Sequence, residues 1–232
     1  MTVSLKNLFT VAALSSLLAG VLLTLIQQFQ VIPAIIEAES YEPVSAAEHN
    51  GHSGADHGDH AHDDSAWAPQ EGLQRTLFTA AANIVIALGF ALLLGAVVIL
   101  KGITLNWRSG LLWGLAGYAV FFVAPSLGLH PELPGTEAAD LSSRQYWWLA
   151  TIASSAVGLA LLVFSPRMIL KALGVLFILM PHIIGAPQPE VHSALAPADL
   201  IQRFIIATII ANAIFWLALG GFYGFFQQKL AQ

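Results

Sequence analysis

The sequence predicts an all-α, polytopic membrane protein, a bundle of about six transmembrane helices, with residues 1–232 forming a single domain. Three observations carry this reading. Hydrophobic residues make up 56% of the chain and charged residues 10%, with a mean hydropathy of +0.71, whereas soluble domains carry about 25% charged residues. Uncharged apolar runs recur along the chain, most of them long enough to cross about 30 Å of hydrocarbon at about 1.5 Å per helical residue. The remaining charges separate by sign between alternate connections, with Lys and Arg favouring the side assigned as inner.

The first expected span is Asn7 to Phe29, apolar and uncharged. A cleaved leader is the alternative, but the apolar region is too long for one, and it runs into Gln27, Gln28 and Gln30 rather than an A-x-A site. Pro33 and the acidic stretch Glu37 to Glu42 are expected to end it. The second span is Phe78 to Leu100, followed by a short turn with Lys101, Asn106 and Arg108. The third is Gly110 to Leu129, leading into a polar Pro/Gly loop over Pro131 to Ser143. Tyr146, Trp147 and Trp148 read as an interfacial aromatic belt at the mouth of a fourth span ending near Ser165. Pro166, Arg167 and Lys171 make a cationic turn into a short fifth span, Ala172 to Ile184. A second Pro-rich loop precedes the sixth span, Phe204 to Phe226.

With the N-terminus assigned to the cytoplasm, Lys6, Lys101, Arg108, Arg167, Lys171 and Lys229 fall inside with no acidic residue. Arg75, Arg144 and Arg203 fall outside with all 14 Asp and Glu, and every histidine falls outside or at the outer rim. That Lys/Arg bias is what the positive-inside rule asks for, and it places both termini in the cytoplasm of a bacterial inner membrane. The net charge of −5 and the absence of a basic patch argue against a nucleic-acid partner. With no cysteine there is no disulfide, thiolate site or nucleophilic thiol. No Walker loop, GxSxG, HExxH or CxxC occurs, so the chain offers no enzyme signature.

The most chemically loaded stretch is Glu48 to Asp64, within an expected disordered extracytoplasmic loop over residues 40–66. It holds His49, His52, His57, His60 and His62 with carboxylates that include Asp56 and Asp59. Imidazole suits Co-, Ni-, Cu- and Zn-class ions, and carboxylates add oxygen ligands. The loose spacing fits a weak, multi-site collector better than one preformed site. A polar linker with incidental histidines is the plainer alternative.

The even spans each open with a lone arginine and reach a polar group two to three turns on: Arg75 to Asn83, Arg144 to Ser154 and Ser155, Arg203 to Asn212. The third and fifth spans share a proline pair six residues apart, Pro125 with Pro131 and Pro181 with Pro187. Three related hairpins fit this pattern, as does chance likeness of apolar segments. The arginines are expected to pair with acidic loop residues, and the small-xxx-small pairs Gly110/Gly114, Ala91/Gly95 and Gly220/Gly224 to permit close helix packing. No Asp, Glu, Lys or Arg lies mid-span, which disfavours a proton relay.

Asn83 and Asn212 are candidates to line an ion path, with interhelical hydrogen bonding as the alternative. His182 follows Pro181, whose ring removes a backbone hydrogen bond and frees the Phe177 carbonyl. It is the best intramembrane candidate ligand, unless it is a histidine satisfied at the lipid interface. His130 and His192 lie in the other two outer loops and are weaker candidates.

Together these features resemble the CbtA family of predicted cobalt transporter subunits. The resemblance is carried by LFTVAALSSLLAGVLLTLIQQFQVIPAIIEAE, the His/Asp-rich first loop, WAPQEGLQRTLFT, APSLGLHPELPG, RQYWWLATIASSAVGLALL and MPHIIGAPQPE. It implies cobalt uptake linked to cobalamin synthesis and a small one-span partner, CbtB, with its own histidine. The leading expectation is therefore a membrane-embedded subunit carrying cobalt or nickel, with a divalent metal as cargo and no cofactor. A membrane-anchored metal sensor or storage protein that never transports is the alternative, and lipid is the remaining partner.

Overall fold

A computed structural model describes residues 5–42, 69–70, 72–191 and 193–230. Its helices are α1 (Leu5–Gln30), α2 (Ile32–Glu39), α3 (Leu73–Lys101), α4 (Trp107–Tyr118), α5 (Ala124–Ser126), α6 (Leu141–Phe164), α7 (Met168–Ile184) and α8 (Ala198–Leu230). Helix α4 passes through a π turn, Ala119–Val123, into α5 without a break. Among the described residues, α1, α3, the run Trp107–Ser126, α6 and α8 are long and apolar enough to cross a membrane, and α7 is a shorter apolar helix. The polytopic helical class expected from the sequence is the class observed.

Local chemistry explains the helix ends. Pro33 was expected to end the first helix; instead it sits in the first turn of α2, where its missing N–H costs nothing. Backbone bonds Val31 N to Gln27 O (2.9 Å) and Ile35 N to Val31 O (3.2 Å) carry the ladder across the junction. Helix α3 stops at Gly102 in the left-handed conformation, φ 62°. Helix α4 starts on a capping box in which the Asn106 side chain accepts from Ser109 N and the Ser109 hydroxyl accepts from Asn106 N. Helix α6 starts on Asp140, whose carboxyl is held below its ordinary range by the Ser142 hydroxyl first and the Ser143 N–H next. The π turn precedes Pro125 and sends the Ala124 N–H to the Ala119 carbonyl. That wider register accommodates a proline that cannot donate to Phe121.

The helices pack as α1 on α3, α1 on α8, α4 on α8, and α6 on α7. The first and second spans pack as the first of the three hairpins suggested by the repeat, but the third span packs on the sixth, and the fourth on the fifth. The reason lies in the glycines. A Cβ at Gly110 would sit 2.1 Å from the Gly220 carbonyl oxygen, and one at Gly224 would sit 2.2 Å from that of Asn106. The Gly110/Gly114 and Gly220/Gly224 faces are thus partners of each other, and both backbones are in contact. Around this seam Trp216 packs on Phe90 (4.6 Å between ring centres) and Phe121 (5.4 Å). The core continues along α8 through Phe215, Leu219 and Tyr223.

The two ends of the bundle differ in charge. At the acidic end Arg75 makes a bidentate pair with Glu39 at 2.6 and 3.2 Å, Arg144 meets Glu132 at 2.6 Å, and Arg203 lies between Asp199 (3.2 Å) and Glu37 (3.9 Å). The expected arginine–acid pairing holds, but only Glu132 is a loop residue; Glu37 and Glu39 ride on α2, and Asp199 on the first turn of α8. The basic end gathers the remaining Lys and Arg. It is tied together by Gln227 Oε1 accepting from Leu105 N (3.0 Å) and by Lys101 Nζ lying 4.0 Å from the centre of the Phe164 ring.

Candidate functional site

The site grows from Pro181. A proline inside α7 leaves the Phe177 carbonyl without its helical donor, and at membrane depth such a group must find another partner. The Ser154 hydroxyl of α6 donates to it. The carbonyl expected to be free for an ion is therefore occupied on one lone pair. The next carbonyl of interest, that of Pro181, accepts from Trp147 Nε1 (3.2 Å) and from Gly185 N (3.0 Å). Helix α6 reaches these groups because Trp147, Thr151, Ser154 and Gly158 share one face, at helical spacing. A Cβ at Gly158 would lie 2.6 Å from the Gly174 carbonyl oxygen, so α6 and α7 run in backbone contact below the polar cluster.

Trp147 is the hub. It is 8% exposed, so it is no belt residue facing the interface. Its ring meets His182 edge-on at 5.9 Å between centres. On its other side a Cβ at Gly128 would touch the indole at 2.4 Å and Ala186 at 2.9 Å. Gly128 follows the Pro125 helix end, and Ala186 follows the Pro181 helix end. The structure thus brings both proline-broken ends together on one tryptophan at the acidic end of the bundle. Cross-links between the two following loops, Glu137 N to Ser193 O (3.0 Å) and Leu195 N to Gly135 O (3.2 Å), hold them there.

His182 lies beneath this cluster, with its Nε2 buried and without a hydrogen-bond partner. A buried polar atom left unpaired costs about 1–3 kcal/mol, and such atoms are rare enough in folded proteins to call for a reason. Ser155 Oγ and Thr208 Oγ1 are the other unpaired buried side-chain atoms among the described residues. Among those residues no three His, Asp or Glu converge on one point. The arrangement supplies one aimed imidazole, not a closed metal cage.

The other sequence candidates are placed differently. Asn83 is 8% exposed and donates to Thr24 Oγ1 (3.0 Å) and Gln27 Oε1 (2.7 Å), joining α3 to α1. Asn212 donates to the Thr208 carbonyl of its own helix at 3.0 Å. His130 is exposed, two residues beyond Gly128. His49, His52, Asp56, His57, Asp59, His60, His62 and His192 lie outside the described residues. Sequence reasoning missed Trp147 and misjudged the Phe177 carbonyl; the signal for both was the Trp147/Thr151/Ser154/Gly158 spacing.

Ser154→Ala is expected to lower the stability of the α6–α7 pair by about 1–3 kcal/mol, because the Phe177 carbonyl loses the Ser154 donor in an apolar setting. Thermal unfolding of the purified protein in detergent measures this. An unchanged midpoint would mean that water serves that carbonyl.

The family model described as a probable cobalt transporter subunit (CbtA) matches residues 5–228. No curated protein and no solved structure matches the chain. The match covers nearly all of the sequence, including every helix that builds the Trp147 cluster, and the chain belongs to the CbtA family, probable cobalt transporter subunits.

Proposed function

We propose that this chain is the membrane subunit of an uptake system for cobalt or nickel, and that the ion is admitted at the Trp147–Pro181–His182 cluster. The observation that carries the site is the buried, unpartnered Nε2 of His182 beside two broken helix ends. Imidazole replaces water on Co and Ni readily and favours them over Mg, which prefers oxygen ligands. The charge separation supports an orientation with both termini in the cytoplasm and the cluster outside, in a bacterial inner membrane. The loop histidines His49, His52, His57, His60 and His62, with Asp56 and Asp59, then gather the ion ahead of the cluster. His130 and His192, from the other two outer loops, can hand it on, and Asn83 and Asn212 offer carbonyl oxygens deeper in the bundle. A small one-span partner of the CbtB kind and a link to cobalamin synthesis follow from the family resemblance and belong to the same proposal.

Cells carrying the chain, with and without neighbouring genes, are given labelled cobalt. Uptake above that of cells lacking the chain is expected; binding that saturates without accumulation would favour the sensor or storage reading. Replacing the five loop histidines together is expected to reduce uptake several-fold at low metal and leave it unchanged at saturating metal. A collector that binds weakly at several ligands raises local concentration but forms no part of the path. Complete loss at saturating metal would contradict that division of labour.

A further inference from the structure

Among the described residues the carboxylate pairing at the acidic end has no counterpart at the basic end. Among the described residues Arg108 and Lys229 have no carboxylate partner, and both flank one groove. The Arg108 guanidinium lies 5.2 Å from the centre of the Trp107 ring, and the Lys229 ammonium 5.7 Å from that of Phe225. Both rings line a groove of about 540 Å³ between α1, α4 and α8, whose other walls include Leu18, Leu111, Phe222 and Phe226. Along α8 the lining runs from Phe226 to Ile214. At about 1.5 Å per residue that is about 18 Å, a little over half of a hydrocarbon core of about 30 Å. The groove therefore has the depth of one leaflet, is apolar throughout, and opens between two cations.

Arg108 also sits in the first turn of α4, where the helix dipole already favours negative charge. A cation there gains nothing from its own helix. An anion placed between Arg108 and Lys229 gains from both side chains and from the α4 terminus. Such basic sites between membrane helices suit anionic lipid headgroups.

We propose that this groove binds an anionic phospholipid, with one acyl chain between α1, α4 and α8 and the phosphate between Arg108 and Lys229. The chain accounts for the apolar walls, and the net negative headgroup for the two unpaired cations. The inference does not depend on what the protein transports.

The test uses the full chain purified in detergent, titrated by native mass spectrometry with phosphatidylglycerol and with phosphatidylcholine of the same acyl chains. The parent is expected to bind phosphatidylglycerol at least tenfold tighter. The double variant Arg108→Gln/Lys229→Gln is expected to lose that preference. Ala218→Phe, which fills the groove and keeps both charges, is expected to weaken both lipids; Ile214→Trp does the same from the far end should Ala218→Phe fail to fold. Equal binding of the two lipids by the parent would overturn the proposal. So would a preference surviving the double variant, undiminished binding by a folded groove-filled variant, or displacement of the lipid by an equal concentration of glycerol phosphate.

Discussion

Gly110→Leu is expected to abolish the folded bundle. A Cβ at this position would meet the Gly220 carbonyl oxygen at 2.1 Å, the Gly220 carbonyl carbon at 3.0 Å and the Gly224 Cα at 3.2 Å. All three atoms are backbone, so no rotamer change relieves the clash, and α4 and α8 must separate along the seam. Overpacking a core costs about 1–3 kcal/mol when side chains can yield; here the whole helix pair must move, and about 3 kcal/mol or more is expected. Separation also pulls Trp216 away from Gly117 and from the Phe90–Phe121 cluster. Gly89→Ala is the control, because a Cβ there meets nothing within 4 Å and alanine is the better helix former by about 1 kcal/mol. The measurement is the fraction of protein recovered as a single species in detergent, with its unfolding midpoint. Normal recovery of Gly110→Leu with the parental midpoint would show that α4 and α8 do not meet on their glycine faces.

The apolar helices and their rough limits were legible because each rests on one local property, an uncharged apolar run; five of them are long enough to span and Met168–Ile184 is shorter. The separation of acidic from basic residues was legible for the same reason, since charges are counted without knowing a single contact. Which helices pair was not legible. The Gly110/Gly114 and Gly220/Gly224 patterns say that something approaches closely, but a small residue does not specify its partner. Pro33 was misjudged because a proline ends a helix or begins one depending on the turn it occupies, and only the Val31 junction decides. The arginine pairs were anticipated because a lone cation beside many carboxylates has few other fates. At the candidate site, the sequence pointed to Pro181 and His182 through the chemistry of proline. It could not show that Ser154 reaches the Phe177 carbonyl, or that Trp147 turns inward. Aromatic side chains at a span mouth occupy the interface as often as the core, and the choice is made by what stands opposite, here Gly128 and Ala186.

His182→Ala is expected to reduce uptake of cobalt by about tenfold or more at every metal concentration, while the amount of protein in the membrane stays normal. The concentration profile separates it from the loop variant, which recovers at saturating metal. The argument rests on what surrounds Nε2. The Phe177 carbonyl is engaged by Ser154 and the Pro181 carbonyl by Trp147 and Gly185. The unpaired Nε2 is therefore the group in the cluster with a free, buried valence. An ion that sheds water at this rim gains one nitrogen ligand from it, and losing a single ligand worth about 1.4 kcal/mol is a tenfold change. His182 is packed by an edge-on ring contact rather than by a hydrogen bond through Nε2, so removing the imidazole breaks no polar network and leaves the fold intact. Trp147→Phe is the companion: it keeps a ring against Gly128 and Ala186 but releases the Pro181 carbonyl from its indole donor. It is expected to lower stability and alter uptake less than His182→Ala does. The selectivity for cobalt over magnesium should fall in His182→Ala, because the site then offers oxygen ligands alone. Parental uptake and parental selectivity in a normally expressed His182→Ala protein would remove the imidazole from the path and leave Nε2 as an unsatisfied atom in the α6–α7 seam.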